Sequence, residues 1–294
     1  IDTINPWTFS GTDRLSDIKF GKSLKYLDNN AFYGCGIESL ALPESLVYVG
    51  AETFSLCSKM KEIYIGKNVS KIGSGAFSYC KSLQKIEVNK DNKYFHSENG
   101  ILYNKKLTRI LYIPYNLSGK IVIASGIKSI DSGFFAGRDN ITEVVLPDSV
   151  ETIGKDAFAE CPNLTSIKLG RNIKSIGENF AGGSAYANNM SNYVDGILYI
   201  GQYAVGENTD LLPDSKSVLR IKNGTVLVAD MVAAYLNIKK LILPDSVRYI
   251  GRMSFGHCHN LKYVRWSKNL KLVDMDAFVE DPIMSVIIPD YCVY

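Results

Sequence analysis

VVLPDSVETIGKDAFAEC, residues 144–161, contains all the elements of a unit that recurs along the chain. An alternating apolar stretch is closed by proline, an Ile/Val-Gly pair follows, and cysteine comes three residues after the phenylalanine of an Ala-Phe pair. The phenylalanines recur at intervals of 22 to 24 residues within each run: Phe32, Phe54, Phe77, then Phe134 or Phe135, Phe158, Phe180, and later Phe255 and Phe278. The cysteines at this position are Cys35, Cys57, Cys80, Cys161 and Cys258, and the sixth cysteine, Cys292, lies outside the register. A period of about 23 residues indicates a repeat solenoid.

The chemistry of the unit explains the repeat. A short L-x-L segment has period two, so it predicts a strand too short to be stable unless it pairs with the same segment of the next copy. Proline ends the strand because it has no N–H to donate. The Ile/Val-Gly pair predicts a turn in which glycine supplies an unusual φ, and Ala-Phe-x-x-Cys packs the far side of the coil. The fold class is therefore a β-rich solenoid with a parallel ladder, short turns and short helical segments.

Two segments interrupt the repeat, residues 89–120 and 181–224. Each contains a turn signal followed by a strand-like run, Asn99 to Tyr103 in the first and Asp195 to Tyr199 in the second, and Asn-Gly or Asp-Gly is typical of tight hairpins. We therefore predict one solenoid over 1–294: an N-terminal cap at 1–17, repeats at 18–88, a hairpin insertion at 89–120, repeats at 121–180, a second insertion at 181–224, and repeats at 225–294.

The unit closely resembles the BspA-type leucine-rich repeat, a bacterial class of surface and secreted proteins. The resemblance covers roughly residues 18–88 and 121–290, and the Asn/Asp-Gly-Ile-Leu-Tyr modules also occur in that family. It implies a solenoid exposed at the cell surface or outside the bacterial cell, and some members act as adhesins toward host matrix proteins or other bacteria. It implies a protein partner and does not identify it.

Composition excludes several classes of function. The 294 residues carry a net charge of only +3, with no run of Lys/Arg, so a nucleic-acid partner is not expected. No apolar stretch approaches the roughly 20 residues of a membrane span, and Val226–Leu236 is too short and carries Asp230. No signal peptide is present in this segment.

No catalytic residue, cofactor or metal ion is predicted. The repeated cysteines fit a column of buried thiols better than a disulfide series. His257 and His259 flank Cys258, but no fourth ligand stands at zinc-site spacing. An enzyme would need converging acids, bases or nucleophiles, and the insertions offer chiefly five such groups: His96, Glu98, Asp195, Glu207 and Asp210.

The outward positions of the ladder are the candidate binding surface. They mix charged residues with exposed aromatic residues, and we single out Tyr64, Glu87, Lys168, Tyr263 and Arg265. Tyrosine and arginine are favoured at binding hot spots, whereas Glu/Lys neighbours across a ladder equally fit a solvated face. The function indicated is a non-catalytic protein-binding module for adhesion to host matrix or other cells. The alternative is an enzyme or glycan-binding protein with its site on the 89–120 and 181–224 insertions.

Overall fold

The computed structural model describes residues 1–211 and 217–286, and the chain divides into two compact units, Ile1–Ile127 and Lys128–Tyr294. Both units consist of short parallel strands stacked coil on coil, which confirms the predicted solenoid class. Residues 287–294, at the end of the predicted repeats, lie outside the described residues, and Cys292 is among them. The single solenoid over 1–294 stays a prediction.

The first unit contains eleven strands among the described residues: β1 (Thr3–Ile4), β2 (Tyr26–Leu27), β3 (Ser39–Ala41), β4 (Tyr48–Val49), β5 (Glu62–Ile65), β6 (Lys71–Ile72), β7 (Lys85–Val88), β8 (Phe95–Glu98), β9 (Ile101–Asn104), β10 (Ile110–Tyr112) and β11 (Gly119–Val122).

The second unit contains two short 3₁₀ turns, Met190–Asn192 and Thr209–Leu211. Its described strands are β12 (Ser129–Ile130), β13 (Ile141–Val145), β14 (Thr152–Ile153), β15 (Ser166–Lys168), β16 (Ser175–Ile176), β17 (Tyr193–Val194), β18 (Ile197–Ile200), β19 (Tyr203–Glu207), β20 (Val218–Arg220), β21 (Leu227–Val228), β22 (Lys240–Ile242), β23 (Tyr249–Ile250), β24 (Tyr263–Arg265) and β25 (Leu272–Val273).

Each complete coil has three sides, one more than the sequence indicates. The L-x-L segments form the expected first ladder, in which Leu40 on β3 pairs with Ile63 on β5. The residues before the Ile/Val-Gly glycine form a second parallel ladder, β1-β2-β4-β6 in the first unit and β12-β14-β16 in the second. The prediction that this pair only turns the chain is wrong, because its Ile or Val ends a two-residue strand, as Ile72 ends Lys71–Ile72, and the glycine follows the strand.

The glycine after the second strand is required for close packing and not for an unusual φ. Gly73 is not in the left-handed region, and a Cβ placed on it would lie 2.3 Å from the backbone nitrogen of Ala51 in the preceding coil. Gly154 shows the same constraint in the second unit, with its Cβ 2.5 Å from the nitrogen of Ser132. Neighbouring coils approach so closely here that no side chain fits between them.

The third side of the coil carries the left-handed residues instead. Alternate N–H groups donate to the next coil, as from Glu52 to the carbonyl of Ser74 and from Phe54 to that of Ala76. The φ values of Glu52 and Leu56 are 53° and 60°, so non-glycine residues occupy this region repeatedly. The regular interruption by positive φ explains why this side is neither helix nor strand.

Stacked phenylalanines and cysteines fill the interior. Phe54 is fully buried and stacks between Phe32, at 5.6 Å, and Phe77, at 6.1 Å between ring centroids. In the second unit, Phe135 and not Phe134 is the anchor, stacking on Phe158 at 4.8 Å. The N–H of Phe158 donates to the carbonyl of Phe180, whereas that of Phe54 donates to Ala76, the residue before the stacked Phe77. Phe180 therefore stands one residue before the position that the stacked phenylalanine occupies in other coils.

Both predicted hairpin insertions are present. In the first, β8, β9 and β10 form an antiparallel sheet, and Asn99 and Gly100 turn the chain with φ of 53° and 80°. In the second, β17, β18 and β19 are antiparallel, and β19 then pairs in parallel with β21. The last strand of the hairpin, β19, is therefore itself part of the second ladder.

Residues 1–17, predicted to form a cap, contain part of a coil. Thr3 and Ile4 pair in parallel with Tyr26 and Leu27, and Phe9 stacks on Phe32 at 5.1 Å. The second ladder and the phenylalanine stack thus extend into this segment.

Candidate functional site

The outward ladder of the first unit brings two of the selected residues together. Tyr64 on β5 lies directly opposite Glu87 on β7. Tyr64 is half-buried and its hydroxyl accepts a 2.8 Å hydrogen bond from the Asn89 side chain. Glu87 is exposed and paired with Lys85 on its own strand, with 2.5 Å between Nζ and Oε1. This pair of residues is therefore engaged in local contacts.

In the second unit, Lys168 lies on β15 with Val145 opposite it on β13. Its Nζ lies 2.8 Å from Oε1 of Glu143, while more than half of the lysine side chain stays exposed. An exposed pair of this kind contributes little stability, since solvent screens it. Lys168 thus has the properties of a solvated charge of the face.

Tyr263 and Arg265 alternate on β24, so both point outward from the same strand. Tyr263 is 56% exposed and lies opposite Lys240 of β22. Arg265 lies opposite Ile242, and its guanidinium contacts Asp245 at 3.2 Å while also donating to the carbonyl of Leu243. The carboxylate and the carbonyl fix the arginine, whereas the tyrosine ring remains largely open to solvent.

The outward ladder of the second unit is not one hydrogen-bonded sheet. β13 and β15 belong to one sheet, and β20, β22 and β24 belong to another. The 181–224 module lies between them in sequence. Its hairpin strands β17, β18 and β19 join the other ladder, and β20 begins the second of the two outward sheets. Lys168 is therefore on a different sheet from Tyr263 and Arg265, and the five selected residues do not form one ladder.

Charged side chains pair between neighbouring coils at an offset of 23 residues. Lys128 and Lys174 both contact Glu151, at 2.7 and 2.6 Å, and Arg171 contacts Asp148 at 2.7 Å. Hydrogen bonds from the two lysines lower the pKa of Glu151 to about 2. Much of the charge around the coils is thus balanced locally, as expected of a solvated face.

The cysteines are buried and suited to packing. Sγ of Cys57 donates to the carbonyl of Phe32, and Sγ of Cys80 to that of Phe54. Burial raises the pKa of both thiols to about 12. Because the thiolate is the nucleophile and the metal ligand, these side chains are poorly suited to either role near neutral pH.

The charged groups of the insertions do not all converge. His96 lies on β8 with its Nε2 3.8 Å from Oε2 of Glu98, in the first unit. In the second unit, Asp195 lies in the hairpin turn and Asp210 in a 3₁₀ turn. Glu207 ends β19 and lines a separate cavity.

A cavity of about 320 Å³ lies beside the 181–224 module. Its lining includes Tyr193, Glu207, Asp230 and Tyr235. Glu207 keeps an exposed surface, yet the surrounding protein desolvates its carboxylate and raises the pKa to about 7. Burial also raises the pKa of Asp230, whose Oδ1 accepts the N–H of Arg252. The two tyrosine rings and two carboxyl groups can offer stacking and hydrogen bonding to a small polar molecule.

The structure also brings together a group that the sequence analysis missed. Donor atoms of His257, His259 and Glu280 lie within 4.8 Å of one another. Glu280 is remote from the histidines in sequence, so a search for local ligand spacing does not find it. The repeat itself contains the signal, because 23 residues after His257 is Glu280.

Comparison with known proteins agrees with this architecture. Residues 1–108, 114–212 and 229–294 match the family model of the BspA type leucine rich repeat region, in 6 copies. The chain belongs to this family. The segments of this BspA-type protein that match the model include the first seventeen residues and most of both hairpin insertions. A search of curated proteins gave no significant match.

A solved structure from Eubacterium ventriosum shows the same fold. A leucine-rich repeat protein from Eubacterium ventriosum ATCC 27560 is 21% identical, with a TM-score of 0.52 over 99% of this chain and 71% of that one. A leucine rich cell surface protein from Faecalibacterium prausnitzii A2-165 is 22% identical, with a TM-score of 0.46 over 91% and 70% of the chains. Within residues 1–211 and 217–286, no helix is both long and apolar enough to cross a membrane.

Proposed function

We propose that this BspA-type protein is a non-catalytic binding module, exposed at the surface of a bacterial cell or secreted from it. Its partner is a protein of the host extracellular matrix or of another cell surface. Family membership supports a repeat-built binding module. The observation that carries the assignment to a surface is the exposed Tyr263 beside Arg265 on the β20-β22-β24 ladder.

The ladder offers a rigid surface for a protein partner. Lys240 lies in register with Tyr263, and Ile242 with Arg265, in the parallel ladder. Their outward side chains are therefore held side by side before binding. A preorganised surface loses little conformational entropy when it binds. Tyr263 supplies aromatic area and Lys240 supplies charge. Arg265, already held by Asp245, fixes the position of a second charge.

The test is binding of the purified protein to a panel of immobilised matrix and cell-surface proteins, measured by biolayer interferometry. We expect Tyr263→Ala and Arg265→Ala each to weaken binding by more than about 1 kcal/mol, or roughly fivefold, as hot-spot residues do. Tyr79→Ala is the matched control, because Tyr79 is 68% exposed but lies on the third side of a coil in the first unit. Unchanged affinity in both ladder variants would show that the binding face is elsewhere.

A second candidate function is recognition of a glycan at the 181–224 module, and the cavity beside β19 favours it. Tyr193 and Tyr235 supply rings for stacking on a sugar, and Glu207 and Asp230 supply carboxyl oxygens. A glycan array followed by Tyr193→Ala and Glu207→Gln tests this function. Because a carboxyl group with a pKa of about 7 suits a general acid, release of reducing sugar from the bound glycan would indicate an enzyme, as in the alternative above.

A further inference from the structure

The third side of the last described coils carries a column of side chains in equivalent positions. Tyr235, His257 and Glu280 have φ values of 61°, 60° and 61°. The N–H of Tyr235 donates to the carbonyl of Gly256, and that of His257 to the carbonyl of Val279. Equal backbone conformation and regular hydrogen bonding make these three side chains project in the same direction from successive coils.

Contacts along the column show how closely the side chains stack. The rings of Tyr235 and His257 are nearly parallel, with 4.7 Å between centroids and 8° between planes. On its other side, Nδ1 of His257 lies 3.1 Å from Oε2 of Glu280. His259, two residues further along the chain, brings its ring to 6.0 Å from that of His257. Two imidazoles and a carboxylate therefore face one small volume.

We propose that His257, His259 and Glu280 bind a divalent transition-metal ion of the zinc type. Imidazole nitrogen and carboxylate oxygen bind Zn²⁺ at about 2.0–2.2 Å, and two donors on a tetrahedral ion then lie about 3.4 Å apart. The His257–Glu280 separation of 3.1 Å is already close to that value. All three donor atoms lie within 4.8 Å of one another, so side-chain rotation alone closes the site.

The backbone between the two histidines is firmly held. Cys258 points inward, where its Sγ donates to the carbonyl of Ala233, and its N–H donates to Oδ1 of Asp281 at 2.8 Å. Cys258 is fully buried, so its thiol does not face the ion. The histidines on either side are thereby presented outward from a fixed segment.

Asp281 supplies an independent indication of a ligand. It stands 23 residues after Cys258, the position that other coils fill with the cysteine thiol. Its Oδ2 is buried and has no hydrogen-bond partner, while its Oδ1 accepts the N–H of Cys258, the residue between the two histidines. Metal-bound histidines usually donate their second ring N–H to a carboxylate. A bound ion orients the imidazoles to make such a donation, which would satisfy the unpartnered oxygen.

Three protein ligands leave one tetrahedral position for water or for a donor from another molecule. The donor set also determines the choice of ion, because Ca²⁺ requires six to eight oxygen ligands and is not favoured by imidazole. The ion would join His257 and His259 of one coil to Glu280 of the next. Zn²⁺ binding should consequently stabilise the end of the second unit.

Isothermal titration calorimetry of the tag-free protein with Zn²⁺ tests the site. We expect one ion per chain. Each of His259→Ala and Glu280→Gln should weaken binding by more than about 100-fold, since loss of even an outer partner of a ligand costs 10–100-fold. His259 and Glu280 are exposed, so both variants should fold, and a thermal melt without metal checks this. His96→Ala is the matched control, because His96 is the remaining histidine and also lies near a carboxylate.

Co²⁺ provides a second readout, since coordination by the site gives visible d–d absorption that His259→Ala should abolish. The absence of saturable Zn²⁺ binding to the intact protein would overturn the proposal. Binding that persists in both His259→Ala and Glu280→Gln, or that His96→Ala removes, would equally overturn it. Preference for Ca²⁺ over Zn²⁺ would also contradict the donor set.

Discussion

Replacing Gly73 with alanine distinguishes two explanations for the glycine of the Ile/Val-Gly pair. The added Cβ would lie 2.3 Å from the nitrogen of Ala51 and 2.5 Å from the carbonyl carbon of Gly50. Ordinary van der Waals contact begins at 3.4 Å, so the two coils would have to separate by about 1 Å. These obstructing atoms are backbone atoms of a hydrogen-bonded ladder, and no side-chain rotation relieves the clash.

The matched control is Gly34→Ala in the same unit. Gly34 has a φ of +67°, and its nearest neighbour to an added Cβ lies at 3.9 Å. Leu56 and Tyr79 occupy the equivalent position of the next two coils with φ of 60° and 58°. A left-handed φ costs an L-residue about 1–2 kcal/mol, so this variant should be only mildly destabilised.

We expect Gly73→Ala to lower the free energy of unfolding by about 3 kcal/mol or more, at the upper end of overpacking costs. Gly34→Ala should lower it by about 1 kcal/mol. Urea unfolding followed by circular dichroism gives both values by linear extrapolation. The opposite order, with Gly34→Ala lowering the free energy of unfolding more than Gly73→Ala does, would contradict our explanation. The glycine would then be required for its conformational freedom and not for the close approach of two coils.

Three further measurements test the interior and the cavity. Phe158→Ala should cost about 3–5 kcal/mol, whereas Phe134→Ala, outside the stack, should cost clearly less; equal thermal shifts would contradict the stacking register. Cys57 and Cys80 should react with a thiol reagent only after denaturation, because their pKa is about 12; rapid labelling of the folded protein would contradict this. Glu207 has a folded pKa of about 7 against an ordinary 4.5, so folding binds a proton and stability should fall as pH rises from about 4.5 to 7. Glu207→Gln should flatten that decline in melting temperature, and an unchanged profile would show that another group causes it.

The sequence predicts the first ladder and the interior because both repeat the same residue types. Leu, Ile or Val alternates along each strand, and Phe54 and Cys57 recur at a constant spacing, so burial follows from the pattern. The hairpins were equally predictable, since Asn99-Gly100 and Asp195-Gly196 are turn signals whose positive φ the structure confirms.

The second ladder escaped prediction because it has only two residues per coil. Lys71–Ile72 is too short to show an alternating pattern, and its stability comes from pairing with neighbouring coils. The glycine that follows it was misinterpreted for a related reason: Gly73 is constrained by a backbone 22 residues away in sequence. Local propensity contains no information on that distance.

The candidate sites depend on side-chain placement, which the repeat predicts only in part. Alternation correctly places Tyr263 and Arg265 outward, but it does not show that Asp245 holds the arginine. The constant offset would have linked His257 to Glu280. That the two side chains point at each other, however, follows from the left-handed φ that both residues adopt.

The regular offset of the contacts between coils has a consequence for how such a chain can change its length by recombination. Lys128, Glu151 and Lys174 are successive members of one ion-pair series, and Phe32, Phe54 and Phe77 are successive members of one stack. An unequal crossover between two equivalent codons removes or adds one whole coil, and each remaining phenylalanine of the stack then still faces a phenylalanine. The ion-pair series is less tolerant, because loss of the Glu151 coil would place Lys128 opposite Lys174. An insertion of any other length must instead be confined to one loop or, like the β17–β19 hairpin, pair with a strand of the next coil where the repeat resumes.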